Sequence, residues 1–194
     1  MYIPRHFEVT DPQEIISFFE KNGFAQLISL VDGRLFSTHM PFMVKNSLAL
    51  LQGHFARSNP QWHSIAGQQV LVTFLGPHEY ISPSWYSSPG VPTWNYQAVH
   101  VYGNCRIFHD QDRLKTIVDE LVAKYESAFA APWTPQYQSQ LLQGIVGIEI
   151  EVTEIQAKYK LNQNRSESDR LGVIRHLDEL GESALSEAMK KYAL

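Results

Sequence analysis

FAQLISLVDGRLFSTHMPFMV, residues 24–44, reads as two strands folded back on a two-residue turn. Asp32-Gly33 is the pivot, because both central positions of a primed hairpin turn need positive φ, which glycine adopts freely and aspartate tolerates. Working outward, a polar Lys45-Asn46-Ser47 turn leads into a third strand, LALLQGHFA, over 48–56. Asn59-Pro60 opens a short helix, and QVLVTFLG (69–76) and AVHVYGNCRIF (98–108) read as buried strands. IVGIEIEV (145–152) sets Ile148, Ile150 and Val152 against Glu149 and Glu151, the alternation of a half-exposed strand. Around these lie helices. Asp11-Pro12-Gln13-Glu14 combines a cap, a first-turn proline and a capping-box acid ahead of Ile15, Ile16, Phe18 and Phe19, with Gly23 as the stop. Asp110 caps a helix whose apolar face is Leu114, Ile117, Val118, Leu121, Val122 and Tyr125, and a short second helix is expected after Pro132 and Pro135. From Ser166 the tail is helical, broken at Gly181, with Leu185, Ala188, Met189 and Tyr192 as a stripe. About six strands among helices predict an α+β fold, a small antiparallel barrel decorated by helices.

The segment GPHEYISPSWYSSPGVPTWNYQAVH (76–100) crowds Tyr80, Trp85, Tyr86, Trp94 and Tyr96 among prolines and small polar residues. Aromatic faces give large contact areas at little entropic cost, and the hydroxyls and amides of Ser82, Ser84, Thr93, Asn95 and Gln97 can orient a flat ligand at its rim. The same aromatics can instead cap a core, so the segment alone leaves both uses open.

Six separated blocks bear on the choice: RLFSTHMPF from Arg34, GHFARSNPQW from Gly53, ISPSWY, VPTWNY, IVGIEIEVTEI from Ile145, and KYKLNQNR from Lys158. In that order they closely resemble the PaiB family of FMN-binding negative transcriptional regulators, from MYIPRHFE at the start to about Leu177. The resemblance implies a split antiparallel β-barrel with surrounding helices over 1–165, and a helical extension over 166–194 packed on the same domain. It also implies FMN as cofactor and a homodimer with the flavin site at the interface.

FMN carries a dianionic phosphate, a polar chain and a flat ring, and the blocks offer groups for each. Arg57, Ser58 and the helix start at Asn59 bring a guanidinium, a hydroxyl and amides to one anion, although a surface arginine beside a plain helix cap fits the pattern equally well; the resemblance decides for the phosphate. Ser37, Thr38, His39 and Met40 end the second strand and are expected along the ring, His39 as a structural histidine more readily than an acid catalyst. Ser82, Trp85, Tyr86, Thr93, Trp94 and Asn95 form the aromatic wall and its rim. By resemblance Lys160, Gln163, Asn164 and Arg165 close over the cofactor, where the residues alone also allow a solvated turn.

Composition bounds the rest. A chain of 194 residues with 44% hydrophobic and 12% aromatic content buries a core, and it contains neither a membrane-spanning apolar run nor a signal segment, so a cytoplasmic location is expected. Lone Cys105 excludes an intrachain disulfide, and the eight histidines lack metal-ligand spacing. No GxSxG elbow or phosphate-binding GxxxxGK[ST] loop occurs. A net charge of −4 gives DNA contact little support beyond Arg165, Arg170, Arg175 and Lys190-Lys191. The resemblance implies two functions: a flavin-binding negative regulator of transcription, or a flavin-dependent oxidoreductase on the same scaffold, with no catalytic residue singled out for the second.

Overall fold

Asp32 and Gly33 both adopt positive φ, 51° and 76°, and the two strands on either side pair residue for residue from Val31↔Arg34 to Phe24↔Pro41. The computed structural model describes residues 1–135 and 139–192. Eight strands run in chain order as β1 (Glu8–Val9), β2 (Phe24–Val31), β3 (Arg34–Pro41), β4 (Met43–Lys45), β5 (Leu50–Ala56), β6 (Gln69–Ile81), β7 (Thr93–Phe108) and β8 (Ile145–Lys160). The helices are α1 (Pro12–Lys21), α2 (Gln61–Ser64), α3 (Gln111–Glu126), α4 (Glu167–Leu180) and α5 (Ser183–Lys191). The strands form one antiparallel sheet in the order β3-β2-β6-β7-β8-β5-β4, with β1 paired to β8. The path ends at β3 and β4 and does not close.

The sheet therefore has two more strands than the six expected. Strand 34–44 breaks at Phe42, giving β3 and β4, and the two-residue β1 lies against the far end of β8, where only the partner strand reveals it. Asn46, Ser47 and Leu48 all take positive φ, which turns the chain sharply and delays β5 to Leu50. β6 continues to Ile81 instead of stopping at Gly76, and β7 begins at Thr93. Tyr80, Trp94 and Tyr96 are thus strand residues, and the aromatic loop shrinks to 82–92. The expected helix after Pro135 falls partly on 136–138, outside the described residues; beyond it the chain forms a 3-10 turn, Ser139–Gly144.

Local signals hold elsewhere. Asp11 accepts the Gln13 amide at 2.9 Å, Asp110 accepts that of Arg113 at 2.8 Å, and Gly181 ends α4 at φ 81°. Among the described residues, no helix is long and apolar enough to cross a membrane.

The described chain gathers into two compact units. One comprises residues 1–18, 74–100 and the chain from Gln156 onward, with Phe18, Ile81, Val99, Tyr159, Val173, Leu177 and Leu185 in its core. The other comprises 19–73 and 101–155, centred on Leu27, Phe55, Ile65, Val72, Val101 and Ile148, with Met43, Phe108, Leu114 and Ile117 as a cluster under α3. The long strands β6, β7 and β8 each contribute residues to both.

Candidate functional site

In the first unit the aromatic loop is fastened to α4 and to the turn after β8. Ser82 caps a 3-10 turn, Pro83–Trp85, by accepting the Ser84 amide. The Trp85 ring stacks on His176 at 5.3 Å, and its carbonyl lies so close to Gly172 that a Cβ there would come within 2.5 Å. The Arg165 guanidinium covers the Tyr86 ring at 4.5 Å and donates to the Pro89 carbonyl at 3.1 Å. Asn162 donates to the Tyr86 hydroxyl at 3.3 Å.

Asp169 completes the clamp. Its carboxylate is 1% exposed and accepts four hydrogen bonds, from the amide and hydroxyl of Ser87 and from those of Ser88. The Ser88 hydroxyl, foremost, and the Ser87 hydroxyl and both amides with it, hold the Asp169 carboxyl down at about 2. Sequence reasoning missed Asp169, although Ser166-Glu167-Ser168-Asp169 has the spacing of a helix cap and Ser166 does accept the Asp169 amide.

Of the residues expected at the cofactor, Ser82, Trp85, Tyr86, Thr93, Trp94, Lys160 and Arg165 are linked through this framework. Lys160, the last residue of β8, donates to the Thr93 hydroxyl at 2.5 Å and the Trp94 carbonyl at 2.6 Å. Trp94 is 53% exposed and meets Tyr80 edge to face at 6.2 Å, so it is the large aromatic surface this framework presents. Asn95, the next strand residue, faces the interior and bonds Met189 of α5. Gln163 braces its own turn, accepting from the Leu161 amide and donating to the Tyr159 carbonyl, while Asn164 is exposed. Asn162, at φ 64°, makes that turn possible.

The second unit holds Ser37, Thr38, His39, Met40, Arg57, Ser58 and Asn59. β3 alternates: Ser37 and His39 point outward, Thr38 is half-buried and Met40 is buried. Thr38 donates to the Gln61 side chain at 2.6 Å and accepts from Asn59 at 2.8 Å; Asn59 also accepts the Gln61 amide. Gln61, fully buried, reaches on to Ser29 and the Leu27 carbonyl, so Thr38 and Asn59 belong to a network that fixes α2 to the β2–β3 hairpin. Arg57 spends Nε on the Gln143 carbonyl and Nη2 on that of Ile145, which docks its side chain on the start of β8, while Ser58 is exposed.

The donor set suits FMN. The first unit supplies a lysine and an arginine bonded only to neutral acceptors, a hydroxyl at Thr93 and an exposed indole at Trp94, matching an anionic group, a polar chain and a flat ring.

Comparison with known proteins bears on the same question. Residues 1–154 match the family described as "Putative FMN-binding domain". The chain is 44% identical over 185 residues to Protease synthase and sporulation protein PAI 2 of Bacillus subtilis, covering 91% of this chain and 89% of that protein. Among solved structures it is similar to the FAD and heme binding protein from Mycobacterium smegmatis, with TM-score 0.63 at 13% identity over 79% of this chain and 73% of that one. It is also similar to the flavocytochrome Anf3 from Azotobacter vinelandii, with TM-score 0.60 at 14% identity over 81% and 72%. At such low identity these two establish the fold, a split β-barrel.

Proposed function

The chain belongs to the FMN-binding domain family, and from that premise we propose that it is a flavin-binding negative regulator of transcription working as a homodimer in the cytoplasm. The observation that carries the regulatory reading is the 44% identity, along nine-tenths of the chain, to a protein named for protease synthesis and sporulation. FMN, when bound, supplies a ring able to take up and release electrons, so occupancy or redox state is available as a signal. The protein's share is to hold that ring: the indole of Trp94 and the cations of the β8 end offer it a face and an anchor.

Dimerisation is supported by the outer face of the hairpin. β3 is an edge strand, and Leu35 on it is 74% exposed, opposite Leu30 at 48%, with Phe24 at 62% further along. Exposed apolar residues on β2 and β3 beside an unpaired strand edge favour cover by another surface, and Ser37 and His39 project from this same face. A second copy laid there would bring those two residues into the interface, as a flavin site shared between chains requires.

Purified protein mixed with promoter fragments is the test. The regulator binds one fragment in the presence of competitor DNA, more weakly at higher salt, and oxidises NADH no faster than free FMN. Turnover well above free FMN without a specific DNA complex transfers the conclusion to a flavin-dependent oxidoreductase.

A further inference from the structure

Three cations gather in the first unit, and among the described residues no carboxylate is in ion-pair contact with them, although Glu8 lies opposite Lys158 in the β1–β8 ladder. Lys158 and Lys160 are two apart on β8 and so share a face, and Arg165 comes next on the turn. Lys158, 8% exposed, donates to the Tyr2 carbonyl and lies between the Tyr2 and Tyr96 rings at 5.5 and 5.3 Å. Lys160 donates to a hydroxyl and a carbonyl, Arg165 to a carbonyl. Every one of these acceptors is neutral, and among the described residues none of the three makes an ion pair with a carboxylate. Burial, and then the like charges of Lys158 and Arg165, push the Lys160 ammonium below its usual range.

Gathering like charges in a partly buried place costs free energy that neutral acceptors do not fully return, and an anion with several acceptor oxygens recovers it. Two of the three Lys160 N–H groups are used, and a guanidinium has five of which Arg165 spends one on Pro89, so donors remain. Arg57 differs in burial and in use: it is exposed where Arg165 is half-buried, and two of its nitrogens, against one of Arg165, hold main-chain carbonyls.

We propose that Lys160 and Arg165, backed by Lys158, form a binding site for a dianionic phosphomonoester, and that the phosphate of FMN is its occupant in place of any anchor at Arg57. The second clause rests on the flavin reading; the first does not. The three residues lie beyond the matched FMN-binding domain residues.

Two measurements on the full chain decide it. FMN and riboflavin are titrated into wild type, Lys160→Met, Arg165→Met and Arg57→Met. Losing one charge-assisted contact weakens FMN on the order of tenfold to a hundredfold in the Lys160 and Arg165 variants, with riboflavin little changed and Arg57→Met close to wild type. Inorganic phosphate is then added to wild-type protein carrying isotope-labelled lysine, with the Lys160 signal assigned by its loss in Lys160→Met. Phosphate moves that signal saturably and displaces FMN but not riboflavin. If flavins bind and FMN affinity is unaffected in both variants, or falls only in Arg57→Met, the proposal is overturned. If no flavin binds, the flavin reading fails by itself: a saturable phosphate shift at Lys160 then upholds the anion site, and an unmoved signal overturns it.

Discussion

Trp85 lies flat on His176, ring centroids 5.3 Å apart and planes only 8° from parallel, so a loop residue and a residue of α4 are locked face to face. Stacked rings contribute about 0.5–1.5 kcal/mol beyond the area they bury. His176→Ala therefore lowers stability by about that amount, while His176→Phe keeps the stack and loses only the Nδ1–H bond to the Gly172 carbonyl. Urea titration of the three proteins checks this, and an equal loss in both variants contradicts a role for the ring.

Asp169 gives the same clamp a pH dependence. Its folded carboxyl sits at about 2 against an ordinary 3.8, so the folded state binds the proton less tightly than the unfolded chain. The stabilisation is complete above the ordinary value and is lost as pH falls from about 3.8 through 2. Asp169→Asn removes that component at every pH and speeds exchange at the Ser87 and Ser88 amides. Hydrogen exchange on wild type and variant between pH 3 and 6, with rates corrected for intrinsic pH effects, measures it; unchanged protection in the variant refutes the clamp.

Gln61 is a larger risk to the second unit because it is fully buried and serves Thr38, Ser29 and the Leu27 carbonyl at once. Gln61→Leu strands those groups, and each buried unsatisfied polar group costs about 1–3 kcal/mol. Equilibrium denaturation should show a loss of at least that size. A variant as stable as wild type would mean that the network relaxes without it.

Cys105 is 1% exposed, and burial drives its thiol up to about 12. At pH 8 the folded protein should leave an aromatic disulfide reagent unreacted, and one thiol per chain should appear on adding guanidinium. Fast labelling without denaturant would show that β7 opens around it.

Features set by neighbours in sequence were legible. The Asp32-Gly33 hairpin, the Asp110 cap and the Gly181 stop are each decided within a few residues, and each is present. What was missed depends on partners far along the chain. β6 continues past Pro77 and β7 starts before Ala98 as neighbours in the sheet, and Glu8–Val9 is a strand only through β8. In the candidate site, the outward direction of Trp94 and the inward one of Asn95 come from β7 starting at Thr93. The use of Arg57 depends on carbonyls 86 and 88 residues away, and the role of Asp169 on serines 82 and 81 residues before it. No local pattern encodes such pairings, which is why residue types in the blocks were readable and their connections were not.

Each compact unit is stitched from chain segments separated by long stretches of the other, and this governs how the molecule comes into being on the ribosome. The second unit lacks its part of β8 until Ile155 has been made, and the first cannot assemble its core until α4 and α5 have followed. Until then β2 and β3 hold a hairpin whose apolar face has no core to cover. Contacts so remote in sequence make for slow completion, and a nascent chain stalled before residue 156 is the form most exposed to misassociation and to proteases.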